Sequence, residues 1–94
     1  MVEWFNDWLD FRGTLHSTDP RDRVAAINDA FGVFVAIYDP EDHIGAIDVE
    51  GDGPADIYFD TDGAVYVDGD LFEGEDEELV RVIVERGEQV KASA

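Results

Sequence analysis

Val33-Phe34-Val35-Ala36-Ile37-Tyr38 is the longest run in the chain without a polar side chain, and its reading decides the fold. Its residues are β-branched, aromatic or Ala, and turn residues fence it, Gly32 before and Asp39-Pro40 after. That combination predicts a strand. With a period of two, Val33, Val35 and Ile37 share one face and Phe34, Ala36 and Tyr38 the other, so both faces need cover.

On the N-terminal side, Asp19-Pro20 is a helix start, with Asp as cap and Pro at the first helical position. Val24, Ile27 and Phe31 follow at i, i+3 and i+7, and Gly32 supplies a stop, which predicts a helix over 20–31. Further back, Trp4, Phe5, Trp8 and Leu9 stand at helical spacing with Glu3, Asp7 and Asp10 elsewhere on the wheel, predicting a first amphipathic helix over 2–11. Its polar face is acidic, whereas helices that lie on membranes carry Lys and Arg there.

On the C-terminal side, alternation and turn residues predict strands over 44–50, 55–60 and 64–68. Gly45 weakens the first of these, and Asp62-Gly63 is the strongest hairpin signal. Four acids at 75–78 precede Leu79, Val80, Ile83 and Val84, the pattern of a helix over 75–86 with negative charge at its N-terminus. The β-branched run Val80–Val84 competes with that assignment as a strand turning at Arg86-Gly87-Glu88. The expected fold is thus a two-layer α+β domain over 1–94, with residues 92–94 frayed. Its sheet is an antiparallel four-stranded meander (33–38, 44–50, 55–60, 64–68), packed by helices 2–11, 20–31 and 75–86. In such a meander the most apolar strand sits at an edge with no charged residue to protect it. An interior place in the sheet, a covering helix or pairing across a homodimer through Val33–Tyr38 would each resolve that conflict.

The charge is the other outstanding feature. The 94 residues carry 24 acidic side chains against 6 Lys and Arg, a net charge of -18, and no cation lies between Val24 and Val80. Disorder is excluded by a content of 45% hydrophobic and 12% aromatic residues with clear periodicity, enough to build one core. Fifteen Asp, nine Glu and a single Lys resemble the composition of proteins from salt-accumulating cells. At molar salt the Debye length falls to about 3 Å and surface carboxylates scarcely repel.

Chemistry finds little foothold. The absence of cysteine removes disulfides and thiolate chemistry. Asp48-x-Glu50-x-Asp52-Gly53 opens like a calcium loop, but Phe59 stands where its bidentate acid belongs. His16 and His43 lack zinc spacing, and no nucleophile elbow or phosphate-binding glycine loop is present. No catalytic residue, metal site or cofactor is expected. No apolar segment reaches the ~20 residues of a membrane span, and Met-Val-Glu-Trp lacks the basic start of a secretory signal, so a cytoplasmic protein is expected.

The sequence therefore favours a small acidic non-catalytic protein-interaction domain of halophile-like composition, with Trp4, Trp8, Phe34 and Tyr38 as anchors. The alternative is a nucleic-acid-mimicking inhibitor of a basic or DNA/RNA-binding protein, presenting Asp56, Asp60, Asp62, Asp68 and Asp70. A cation-binding module comes third, and direct nucleic-acid binding is opposed by the charge. If concentrated salt is what the carboxylate coat requires, far-UV circular dichroism will record a folded chain at molar KCl that loosens in dilute buffer. A spectrum unchanged into the millimolar range would contradict that origin of the charge.

Overall fold

The computed structural model describes residues 17–51 and 54–93. Residues 2–11, where a first helix with Trp4 and Trp8 is expected, lie outside the described residues. The remaining architecture is an antiparallel sheet with two helices, in the order α1 (Pro20–Phe31), β1 (Ile37–Asp39), β2 (Ile44–Ile47), β3 (Ile57–Phe59), β4 (Val65–Val67), β5 (Asp70–Leu71) and α2 (Asp76–Ser93). The strands lie side by side in chain order, each antiparallel to the next. Among the described residues no helix is long and apolar enough to cross a membrane.

Helix α1 begins and ends where its sequence directs. The Asp19 side chain accepts the Arg21 N–H at 3.0 Å, Pro20 opens the first turn, and Gly32 takes the left-handed conformation (φ 74°) while its N–H returns to the Asn28 carbonyl. Its inward face is Pro20, Arg23, Val24 and Ile27. Val24 and Ile27 meet Ile47, Ile57, Phe59 and Val65 of the sheet and Leu79, Val80 and Ile83 of α2, forming one core. Helix α1 approaches β2 at Gly45, where a Cβ would stand 2.8 Å from Val24 Cγ2. The glycine that weakens the strand as a sequence is therefore what lets the helix close onto it.

The run Val33–Tyr38 is not one strand. Only Ile37–Asp39 pairs with β2, and the reason is Asn28. Its Oδ1 accepts the N–H groups of Val35 (2.8 Å) and Ala36 (2.9 Å), and its Nδ2 donates to the Ala36 carbonyl (2.9 Å). A helix side chain takes the place of a neighbouring strand. Freed from the pleat, Val35 and Ala36 are both buried although adjacent, while Val33 and Phe34 turn outward.

The other strands are shorter than their apolar patterns for a related reason. Beyond Ile47 the chain leaves the ladder, and the Asp56 carboxylate takes the Val49 N–H at 2.8 Å. The Asp60 carboxylate holds the N–H groups of both Asp62 and Ala64, shaping the β3–β4 turn. A fifth strand, absent from the expected four, follows Asp68-Gly69. Both residues have positive φ (53° and 91°) and join Val67 to Asp70 as a two-residue hairpin.

Helix α2 settles the choice at 79–91 in favour of helix and runs to Ser93, well past residue 86. Leu79, Val80, Ile83 and Gly87 form its buried face. The Phe31 ring occupies the space a Cβ on residue 87 would need, so Gly87 serves as a packing point rather than a turn. In its last turn the Ser93 hydroxyl donates to the Gln89 carbonyl at 3.0 Å.

Asn28 carries much of the α1–β1 junction. Replacing it with Ala leaves two donors and one acceptor without their partner and should cost about 2–3 kcal/mol, allowing for solvent at a half-buried site. Urea unfolding at fixed KCl measures this, and a loss below about 0.5 kcal/mol would mean that water replaces the side chain.

Candidate functional site

Among the described residues, three of the four exposed large apolar side chains fall on the segment that Asn28 holds, and the fourth, Leu71, lies on β5. Phe34 is 89% exposed, Ile37 63% and Val33 45%. Val33 and Phe34 follow the end of α1 and Ile37 opens β1, the edge strand of the sheet among the described residues. Their backbone is set on both sides, by the Gly32 cap and by the hydrogen bonds that the Val35 and Ala36 N–H groups donate to Asn28. Phe34 is thus presented outward from an anchored loop. Beside it lies an open depression of about 300 Å³ lined by Asn28, Asp29, Gly32, Val33 and Phe34.

Of the anchors named from the sequence, Trp4 and Trp8 lie outside the described residues. Phe34 and Tyr38 do not form one patch. Tyr38 is half-buried against the core, its hydroxyl sits 3.0 Å from His43 Nδ1, and the Arg21 guanidinium lies 5.9 Å from its ring centroid. Val33 and Ile37, assigned to the opposite face by strict alternation, are exposed as Phe34 is, and Val33 lines the same depression as Phe34. Nothing in the local sequence signals this, because it depends on a hydrogen-bonding side chain in the preceding helix. Ile37 also begins a cross-strand row, Ile37, Ala46, Tyr58, Tyr66 and Leu71, on the face opposite Ile57 and Phe59.

Of the five Asp residues singled out around the hairpin, three have local roles. Arg86 of α2 donates to Asp56 Oδ1 at 2.8 Å and to both Asp68 oxygens at 2.9 Å, tying the helix to two strand ends. Asp60 is occupied by its own turn. Asp62 and Asp70 are exposed, one in the β3–β4 turn and one at the start of β5. Among the described residues no three His, Asp or Glu side chains gather as a metal-binding group.

A second depression of about 360 Å³, lined by Thr18, Asp19, Pro20, Arg21, Tyr38, His43 and Thr61, is polar. Its single Arg is already bound by Asp19 through two hydrogen bonds of 3.2 Å. Those bonds hold the Asp19 carboxyl below its usual range. No family model matches the chain, and neither a curated protein nor a solved structure matches it.

The Arg86 clamp has a pH signature. Its hydrogen bonds lower the Asp68 pKa, against the opposing effect of burial, and raise its own. A carboxyl whose folded pKa is depressed stabilises the fold above its unfolded pKa of about 4, and that contribution is lost as pH falls through the folded value. The stability difference between the parent chain and Arg86→Gln should therefore be constant above about pH 5 and close below about pH 4. Denaturation midpoints of the two chains, compared at matched pH and salt, test this; a gap that persists in acid would deny Asp68 its part.

Proposed function

We propose that this chain is a small, non-catalytic protein-interaction domain of a salt-rich cytoplasm, docking through Val33, Phe34 and Ile37. The exposure of Phe34 carries this reading. Burying a Phe side chain is worth up to about 3 kcal/mol, and this loop is anchored in a form that leaves that free energy unused. Aromatic side chains on preset backbone are effective anchors because little freedom is lost when a partner closes over them. The surrounding carboxylates suit a concentrated electrolyte, and they keep so apolar an edge from adhering without selection.

A homodimer on the same run would have to rely on these side chains and on the three residues of β1, since Asn28 occupies the backbone of Val35 and Ala36. The acidic-antagonist reading is less well supported, because Asp56, Asp60 and Asp68 are engaged by the chain's own groups.

A paired capture experiment tests the proposal. The parent chain and the double variant Phe34→Ser, Ile37→Thr, shown by circular dichroism to be equally folded, are each used as bait in lysate of the source cell at native salt. A partner retained by the parent and lost by the variant is the expected result. Identical captured sets would overturn the assignment of the patch.

A further inference from the structure

We infer that the partner presents a Lys- or Arg-rich segment carrying apolar side chains, and that one of its basic side chains occupies the depression beside Phe34. This rests on the docking patch proposed above.

The walls of that depression match a long basic side chain part by part. Gly32, Val33 and Phe34 offer apolar surface, and Asp29, exposed on the last turn of α1, offers a carboxylate. Lys and Arg have this composition, an aliphatic stem ending in a cation. An Arg head lying between Asp29 and the Phe34 ring gains a charge-assisted hydrogen bond and a cation–π contact together. A volume of about 300 Å³ is ample for one such side chain, at the lower end of what small-molecule sites occupy.

The charge of the chain that continues from Ile37 points to the same partner, although the Asp39 carboxylate already accepts the Glu41 N–H. Asp39 lies two residues from Ile37 along β1, and Glu41 and Asp42 are exposed in the turn that follows. No residue from Val24 to Val80 is Lys or Arg, and Arg21, which lies against Tyr38, is already bound by Asp19. Area makes that charge decisive. Val33, Phe34 and Ile37 together offer only a few hundred Å² of apolar surface, short of the roughly 800 Å² per partner of a standard interface. The remainder must come from neighbouring surface, where Asp29 lines the depression and Glu41 and Asp42 are exposed further along the chain. A second copy of the chain would set these acids against identical ones, with a net charge of -18 on each side. A basic segment turns the same charge into attraction.

Two synthetic peptides of about ten residues serve as probes, one alternating Leu and Arg and the other with Gln at every Arg position. They are titrated into the labelled full-length chain in about 0.3 M KCl, where the Debye length of roughly 5–6 Å leaves only short-range charge effects. The Leu-Arg peptide should shift the amide signals of residues 29–37 and bind at least about tenfold more tightly than the Leu-Gln peptide. Phe34→Ser should weaken it about tenfold, and Asp29→Asn with Asp42→Asn should weaken it while leaving the Leu-Gln peptide unaffected.

Equal binding of the two peptides, Leu-Arg binding indifferent to Phe34→Ser, or light scattering showing a dimer that Phe34→Ser dissolves would each overturn the inference. The paired capture experiment separates the two levels. A Phe34-dependent partner that competes with neither peptide keeps the docking patch and removes the basic segment, whereas loss of both removes the patch itself.

Discussion

The fold depends on one buried cation. Arg23, on the inward face of α1, is fully buried, and its described partners are backbone carbonyls. Nε and Nη2 donate to Ser17, Nη1 donates to Ala64 at 3.0 Å and Nη2 also reaches Asp60 at 3.3 Å. One guanidinium thereby joins the chain entering α1 to the β3–β4 hairpin, and its carbon centre lies 5.8 Å from the centroid of the Phe59 ring. Burial lowers its pKa and the Asp60 carboxylate pushes back; an Arg keeps its charge under such pressure, where a Lys could lose it. In a chain of net charge -18 the surrounding field also favours a cation inside. The planar five-donor group can serve several carbonyls at once, which an ammonium on a flexible stem does less well.

The same device recurs in smaller form. At three ends of this sheet's strands a short polar side chain takes over the backbone: Asn28 before β1, Asp56 after β2 and Asp60 between β3 and β4. This marks the limit of what could be read from sequence. Helix α1 was legible at both ends because its signals are local: Asp19-Pro20 to start it and Gly32 to stop it. The centres of β2, β3 and β4 were legible from alternation, and with them the antiparallel α+β class. The ends were not, since alternation runs on through residues whose hydrogen bonds go elsewhere. The break at 33–36 was hidden because Asn28 acts from seven and eight residues away, and the length of α2 because Gly87 acquires its role only from Phe31. Asp68-Gly69 could have been found: the rule that marks Asp62-Gly63 as a turn applies equally to it. For the candidate site, Phe34 was identifiable as a large apolar side chain in the key run, but the shared exposure of Val33 and Ile37 was not.

The abundance of Asp over Glu also has a local cause. Asp19, Asp39, Asp48, Asp56 and Asp60 each accept a backbone N–H, most of them two to four residues along. A carboxylate on one methylene reaches that distance from its own Cα, while the extra methylene of Glu brings greater rotamer freedom to be lost. Part of the charge that looks like a surface coat is therefore turn chemistry. The composition answers two demands, and only one of them concerns the solvent.

That distinction bears on how the open edge is kept from indiscriminate pairing. An apolar edge strand invites ladder formation with any extended chain. Here the exposed strand is cut to Ile37–Asp39, with Asn28 hydrogen-bonded to the backbone just before it and Pro40, which has no N–H to give, just after. Backbone adhesion, which is blind to sequence, is limited to about 10 Å of strand. Phe34 and Ile37 remain outside, and their contacts depend on the shape and charge of what approaches. An edge arranged in this way suppresses pairing through the main chain and leaves selection to side chains, which suits a specific docking surface better than an unguarded strand.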